Sequence, residues 1–129
     1  RYEKGQHFLP HTDGFKGPIT ASGFQQSGRL VTLFVYLNTV PNGGQTRFTK
    51  LEDHSNGAGG GVNVSPTQGK AVLHFPNTLE LIEDVRTEHE GAEADDEKWL
   101  LVTWVWQNYR TDDWYGRFND RPLSPETVI

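Results

Sequence analysis

Short apolar and aromatic runs alternate with polar, glycine-containing segments along the chain, and this pattern predicts short β-strands. The clearest runs are residues 30–37 (LVTLFVYL) and 98–107 (KWLLVTWVWQ). Further strands are predicted at residues 2–9, 45–49, 62–64, 70–75 and 85–90. No segment keeps apolar residues at the spacing of an amphipathic helix, and no internal repeat is visible. The pattern therefore predicts an all-β fold with minor helix, a jelly roll or barrel.

Two glycine-containing stretches interrupt the strands. Residues 14–28 (GFKGPITASGFQQSG) form a long polar stretch, and segments of this length in a small domain are often lids or binding loops. Residues 57–61 (GAGGG) lack the strand–turn–helix setting of a phosphate-binding loop. We expect a flexible connection between strands there.

Composition excludes several classes of protein. The chain has 129 residues, which is about the size of one domain, and no run of apolar residues is long enough to span a membrane. Its formal net charge of −5 argues against binding to a nucleic-acid backbone, which requires a basic surface. The absence of Cys excludes a disulfide scaffold, a thiolate zinc site and a cysteine nucleophile.

The tripeptide His11-Thr12-Asp13 is the first candidate for chemistry. Residues i and i+2 of a strand point to the same side, so the imidazole of His11 and the carboxylate of Asp13 can converge. A third ligand that is a histidine would complete two His and one carboxylate, the set that non-haem Fe(II) oxygenases use. The tripeptide alone is weak evidence, because a turn aspartate beside an unrelated histidine has the same sequence.

The other four histidines differ in context. His7 shares the predicted face of His11, but we interpret it as a packed strand residue. His54 lies in a polar loop and is expected to be solvated, whereas His74 is expected to line the core or the barrel. His89 follows Asp13 by 76 residues (89 − 13), which is enough chain to return beside the first strand of a barrel.

The sequence resembles the catalytic domain of prolyl 4-hydroxylases, which are Fe(II)- and 2-oxoglutarate-dependent dioxygenases. The motifs that carry the resemblance are Tyr2 with GQHFLPHTD, RLVTLFVYLN, GGQTRF, VSPTQGKAVLHF, and HEG with EKW. Together they extend from residue 2 to residue 106, in the family's order. The resemblance implies a double-stranded β-helix, a jelly-roll barrel, in agreement with the strand pattern.

The resemblance also assigns roles to individual residues. It implies that His11, Asp13 and His89 are the iron ligands. Lys98, Thr46 and Tyr2 correspond to residues that contact 2-oxoglutarate, with Lys98 at the distal carboxylate. Lys98 follows His89 by nine residues, where family members often have ten, so this turn is expected to be one residue shorter.

Three further residues are placed near iron or substrate by the same resemblance. Trp104 corresponds to an aromatic residue near the iron pocket. Arg29 corresponds to an arginine linked to the peptide-binding face, although a surface charge at a strand edge explains it equally well. Trp106 stands where some relatives carry a histidine near the substrate, which leaves the peptide preference open.

The implied reaction is hydroxylation of prolyl residues in a peptide or protein. It uses Fe(II), 2-oxoglutarate and O₂, releases succinate and carbon dioxide, and takes ascorbate as reductant. The same chemistry on a lysyl residue or a small molecule is one alternative, and a catalytically silent jelly-roll binding module is another. The acidic net charge and the lysine anchor for the oxoacid disfavour a nucleic-acid demethylase.

The resemblance bears on the domain and its compartment as well. Residues 1–129 are expected to be one catalytic core, cut from a longer chain, without its N-terminal supporting segment. Relatives occur in the eukaryotic secretory pathway and in bacterial cytoplasm. The sequence leaves the compartment open, with a slight preference for the endoplasmic reticulum and secretory pathway.

Overall fold

A computed structural model describes residues 1–20, 24–52 and 61–108. The described part contains seven strands and a single 3-10 turn, Val85–Thr87. The strands are β1 (Phe8–His11), β2 (Arg29–Tyr36), β3 (Thr46–Phe48), β4 (Val62–Val64), β5 (Ala71–His74), β6 (His89–Gly91) and β7 (Leu100–Trp106). Among these residues, no helix has the length and apolar character needed to cross a membrane.

The strands form two antiparallel sheets. One has the order β1-β6-β3-β4, and the other has the order β5-β2-β7. The alternating side chains Thr32, Phe34 and Tyr36 of β2 are buried, as expected for a strand with one face on the core. Phe34 and Tyr36 pack with Phe48 of the opposite sheet, so the core lies between the two sheets. The predicted all-β, double-sheet architecture is therefore confirmed.

Most predicted strands are present but shorter. The prediction for residues 85–90 is wrong at its start, where the chain forms the 3-10 turn. Asp84 caps this turn, since its carboxylate accepts a hydrogen bond from the backbone N–H of Arg86 at 3.0 Å. Strand β6 begins only at His89. The cap gives the backbone N–H of Arg86 a hydrogen-bond partner within the turn. In a strand the same group would have needed a partner on a neighbouring strand.

The prediction for residues 2–9 is also only partly right, because β1 is Phe8–His11. Gly5 has a φ of +82°, which is not a strand conformation. Tyr2 makes an isolated antiparallel bridge with Lys98 instead. His7 therefore precedes the strand and is exposed, so its interpretation as a packed strand histidine is wrong.

The two sheets differ on their outward faces. The outer face of the four-stranded sheet carries ion pairs such as Arg47–Glu90 at 3.4 Å. The outer face of the three-stranded sheet is apolar, and Leu73, Leu101 and Val105 are each about half exposed. The predictions for His54 and most of residues 57–61 lie outside the described residues.

Candidate metal and 2-oxoglutarate site

The two histidines of the predicted triad lie on neighbouring strands. His11 ends β1 and is directly opposite His89, the first residue of β6, and their ring centroids are 4.5 Å apart. Asp13 follows two residues after the strand, at a bend rather than within β1 as expected. His11 Nε2 lies 3.7 Å from Asp13 Oδ1, and His89 Nε2 lies 3.8 Å from Asp13 Oδ2. One ligand atom from each residue falls within 4.8 Å of the others, which is a spacing that can hold one metal ion.

The backbone orients both imidazole rings in the same way. His11 Nδ1 lies 2.8 Å from the carbonyl oxygen of Leu9, and His89 Nδ1 lies 3.0 Å from that of Thr87. Each Nδ1–H can donate to the carbonyl oxygen two residues earlier, and in the neutral ring this tautomer leaves the lone pair on Nε2. Metal-ligating histidines commonly use this arrangement, which sets the tautomer and directs the ligand atom.

The electrostatic environment favours the metal-binding forms of Asp13 and His89. Burial alone would raise the pKa of Asp13, but its interactions with His74, Thr32 and His89 lower it to about 2. Burial lowers the pKa of His89 below its ordinary value. At neutral pH the carboxylate is therefore ionised and the imidazole of His89 is neutral, as metal coordination requires.

Lys98 is a buried cation at the other end of the same pocket. Only 1% of the residue is exposed, and its ammonium group donates a hydrogen bond to the Gly44 carbonyl oxygen at 3.0 Å. Within the described ranges, no carboxylate lies at ion-pair distance from Lys98 Nζ. Burial lowers its pKa from 10.5 to about 8. Buried charges are normally paired, so this geometry suits an anionic ligand from outside the chain.

Thr46 and Tyr2 line the pocket near Lys98. The Thr46 hydroxyl lies 2.7 Å from the hydroxyl of Tyr36, which is completely buried and also donates to the carbonyl of Val64 at 3.3 Å. The Tyr2 hydroxyl lies 3.5 Å from the position that a Cβ on Gly91 would occupy. The sequence analysis did not identify Tyr36 as a site residue. The feature that could have indicated it is its place on the face of β2 that points towards the core.

Aromatic rings surround Arg29 at the side of the pocket next to Asp13. The guanidinium carbon of Arg29 lies 4.0 Å from the ring centre of Trp104, 5.0 Å from that of Phe15 and 5.6 Å from that of Trp106. Arg29 Nη1 also donates to the backbone carbonyl of Asp13 at 3.3 Å. This combination makes the group an ordered part of the site rather than a free surface charge.

Eight of the nine predicted site residues line a single cavity of about 350 Å³. They are His11, Asp13, His89, Lys98, Thr46, Tyr2, Trp104 and Arg29. Trp106 is not among the lining residues, because it packs against Phe15 and Phe24 further along β7. The nine-residue separation from His89 still allows Lys98 to reach this cavity. His74 is buried beside the triad, as expected for a barrel-lining residue.

Comparison with known proteins agrees with this geometry. The family model of the 2OG-Fe(II) oxygenase superfamily matches residues 1–106. The chain belongs to this superfamily. The match covers both sheets and all nine predicted site residues.

The relatives of the chain within the superfamily include plant prolyl 4-hydroxylases, so the resemblance seen in the sequence is confirmed. The chain is 35% identical over 112 residues to prolyl 4-hydroxylase 1 of Arabidopsis thaliana, a match that covers 83% of the chain. It is 30% identical over 118 residues to prolyl 4-hydroxylase 2 of the same plant, covering 81% of the chain. The chain spans 39% of the length of each of these relatives.

A solved structure supports the fold. The viral collagen prolyl hydroxylase of Paramecium Bursaria Chlorella virus-1, in its 2OG complex, superposes with a TM-score of 0.65 at 23% identity. The match covers 81% of this chain and 54% of the viral one. The jelly-roll fold class predicted from the sequence is therefore confirmed.

Proposed function

We propose that this chain binds Fe(II) and 2-oxoglutarate and hydroxylates prolyl residues of a peptide or protein, with release of succinate and carbon dioxide. One observation carries the proposal. A buried lysine without a carboxylate partner in the described part of the chain shares one cavity with a group of two histidines and one aspartate. A cation at one end and metal ligands at the other match a dicarboxylate that chelates a metal.

The donor set fits Fe(II). His11 and His89 offer their Nε2 atoms, Asp13 offers an ionised carboxylate, and three protein ligands leave open positions on an octahedral metal. The absence of thiolate ligands also fits iron better than a structural zinc site. When bound, iron and 2-oxoglutarate would supply the oxidising power that removes hydrogen from a substrate carbon.

The pocket fits 2-oxoglutarate at its other end. Lys98 would bind the distal carboxylate through its compact ammonium group, and the hydroxyl of Thr46 would add a hydrogen bond. Tyr36 would orient that hydroxyl, while Tyr2 would cover the ammonium group with its ring. The apolar side chains of Leu100 and Val102 line the same cavity and would reduce the access of water to the reacting groups.

A prolyl substrate is supported by the relatives and by the aromatic residues at the pocket. The relatives above are named prolyl 4-hydroxylases. The ring of Trp104, which is 37% exposed, presents a flat apolar surface beside the metal ligands, on which a proline ring can pack. Arg29 would hold Trp104 and the Asp13 backbone in place. Trp106 would contribute from outside the cavity through its packing with Phe15.

The reductant and the compartment complete the proposal. Ascorbate is proposed as the reductant that keeps the metal in the ferrous state. The secretory pathway is proposed as the compartment, in line with the resemblance to prolyl 4-hydroxylases.

Anaerobic addition of Fe(II) and 2-oxoglutarate to the purified chain tests the site. Bidentate chelation of Fe(II) by the oxoacid gives a weak visible charge-transfer band, which succinate in place of 2-oxoglutarate does not produce. Admission of O₂ should then yield succinate. Absence of both the band and succinate would refute the enzymatic proposal and favour a silent binding module.

A peptide panel tests the substrate. We would compare proline-rich, collagen-like and lysine-containing, proline-free peptides for a mass increase of one oxygen atom. Modification confined to proline-containing peptides supports the proposal. Modification of the lysine-containing peptide alone would reassign the substrate class while leaving the proposed cofactors intact.

A further inference from the structure

His74 is a buried polar side chain with no assigned role in the proposed reaction. It ends β5, directly opposite Thr32 on β2, and only 7% of it is exposed. Its ring centroid lies 5.3 Å from that of Phe48 and 5.0 Å from that of His89. His74 therefore packs between the core residue Phe48 and the proposed metal ligand His89.

Asp13 is the polar side chain that His74 faces. His74 Nε2 lies 3.3 Å from Asp13 Oδ2, and neither ring nitrogen has an aligned hydrogen-bond partner in the described part of the chain. Burying a polar group without a partner is unfavourable. The 3.3 Å separation is already close to hydrogen-bond length, so a bond from Nε2–H to Oδ2 requires a change of alignment rather than of distance.

We propose that His74 is a positioning residue, which donates its Nε2–H to Asp13 Oδ2 and so directs Asp13 Oδ1 towards the metal. This inference rests on the proposed function, because it assigns a role in the same Fe(II) site. The carboxylate has two oxygens with different neighbours. Oδ1 lies 3.7 Å from His11 Nε2, whereas Oδ2 lies 3.3 Å from His74 Nε2 and 3.8 Å from His89 Nε2, so His74 is the nearest of the three rings to Oδ2.

The geometry favours a donor role for His74 over a role as a fourth ligand. The compact group of ligand atoms within 4.8 Å contains His11, Asp13 and His89 but not His74. A neutral imidazole carries one N–H. In His74 the hydrogen is favoured on Nε2, because this nitrogen lies next to a carboxylate oxygen that can accept it in a hydrogen bond. With its hydrogen on Nε2, His74 cannot also coordinate a metal through that atom.

Asp13 would then be held from two further directions. Arg29 Nη1 donates to the backbone carbonyl of Asp13 at 3.3 Å. Thr32, the cross-strand neighbour of His74, also interacts with the Asp13 carboxylate. Partners of this kind orient a ligand before the metal arrives, and their loss typically weakens metal affinity by about 10- to 100-fold.

Metal affinity tests this role without relying on turnover. Co(II) would be titrated into the metal-free chain, and its affinity measured for the wild type, His74→Phe and His74→Gln. Phe keeps a ring against Phe48 but removes the donor, whereas Gln keeps an N–H at a similar distance from the backbone. The matched control is His7→Phe, since His7 is exposed outside β1.

We expect His74→Phe to weaken Co(II) binding by about 10- to 100-fold. His74→Gln should recover most of that loss, and His7→Phe should match the wild type. Wild-type affinity in His74→Phe would overturn the inference. Loss of one nitrogen ligand from the Co(II) absorption spectrum of His74→Gln would also overturn it, because it would make His74 a ligand.

Nuclear magnetic resonance of the metal-free wild type gives a second readout, which holds even where a variant does not fold. The ¹⁵N shifts of His74 should identify the tautomer with hydrogen on Nε2, and the opposite tautomer would overturn the inference. The two proposals fail in different ways. A wild type that binds no Co(II) contradicts the metal site itself, whereas normal wild-type binding with an unaffected His74→Phe contradicts only the role of His74.

Discussion

Tyr2 and Lys98 are joined by two backbone hydrogen bonds, and this pairing places the aromatic ring of Tyr2 over the ammonium group of Lys98. Tyr2 N–H donates to the Lys98 carbonyl at 2.8 Å, and Lys98 N–H donates to the Tyr2 carbonyl at 2.9 Å. Lys98 Nζ lies 4.1 Å from the centre of the Tyr2 ring. The ring restricts contact of the ammonium group with water, which strengthens its attraction for an anion in the pocket.

Removal of this cation should weaken co-substrate binding selectively. We expect Lys98→Ala to weaken 2-oxoglutarate binding by about 10- to 100-fold, because a hydrogen bond to a charged group contributes about 1.5–3 kcal/mol. Co(II) affinity should not change. Calorimetric titration of both ligands checks this, with the exposed Lys70, whose ammonium donates to the Ser65 carbonyl, as the Lys70→Ala control. Unchanged 2-oxoglutarate affinity would place the anchor elsewhere.

The affinity for 2-oxoglutarate should also depend on pH. Burial lowers the pKa of Lys98 to about 8, so the free protein loses this charge as the pH rises above that value. Binding must then restore a proton, and the affinity should fall by up to about tenfold per pH unit above pH 8. Titrations of the Co(II)-loaded chain between about pH 7 and 9 measure this, since Lys98 changes charge within that range. A pH-independent affinity would contradict the buried-cation model.

The same pKa shift predicts a pH-dependent stability of the metal-free chain. The unfolded state has the ordinary lysine pKa of 10.5 and the folded state one of about 8, so the unfolded state binds more protons between these values. The Lys98 contribution to the free energy of unfolding should therefore rise with pH from about 8 to 10.5. The contribution should vanish in Lys98→Ala, as urea unfolding of both proteins at several pH values would show.

Loss of a triad histidine should abolish metal binding without unfolding the barrel. His89→Ala removes one of three ligands and leaves His11 and Asp13, which hold a divalent ion weakly. The chain should stay folded, because Phe34, Tyr36 and Phe48 still pack on one another and Phe48 loses only its contact with the His89 ring. Co(II) titration and far-ultraviolet circular dichroism measure the two effects, with His7→Ala as the control. Surviving metal affinity in a folded His89→Ala would refute the assignment of the triad.

Two glycines with similar backbone conformations should respond differently to substitution. Gly43 and Gly69 have φ angles of +72° and +80°, so Ala costs about 1–2 kcal/mol of conformational strain at either position. At Gly43 a Cβ would overlap the Glu93 carbonyl oxygen, whereas at Gly69 nothing lies within 4 Å of the Cβ position. Relief of that contact should cost about 1–3 kcal/mol more in Gly43→Ala, as measured by urea unfolding. Equal losses in the two variants would show that the Glu93 segment moves aside freely.

Gly43→Ala should also affect the pocket. Gly43 bridges Ala94 and precedes Gly44, whose carbonyl accepts the hydrogen bond from Lys98. Displacement of this turn should therefore weaken 2-oxoglutarate binding, and Gly69→Ala should leave it unchanged.

Local patterns in the sequence predict much of the fold. Runs of apolar, β-branched and aromatic residues identify β2 and β7, because such residues favour strands. The same approach is wrong at residues 85–87, where the side chain of Asp84 caps a 3-10 turn. It also begins the first strand too early, at residue 2 instead of Phe8. Tyr2 instead bridges Lys98, which is 96 positions away (98 − 2), and a pairing over that distance has no local signal.

The sequence by itself determined the strand-rich architecture, the nearness of His11 to Asp13, and, through the resemblance, the other proposed ligands. Tertiary structure alone decided which side chains surround them. Pairing of β2 with β5 brings His74 to Asp13, the hydroxyl of Tyr36 meets Thr46 inside the barrel, and Trp106 packs outside the cavity. These relationships depend on strand register and sheet order, which arise from packing between residues far apart in the chain and leave no local pattern.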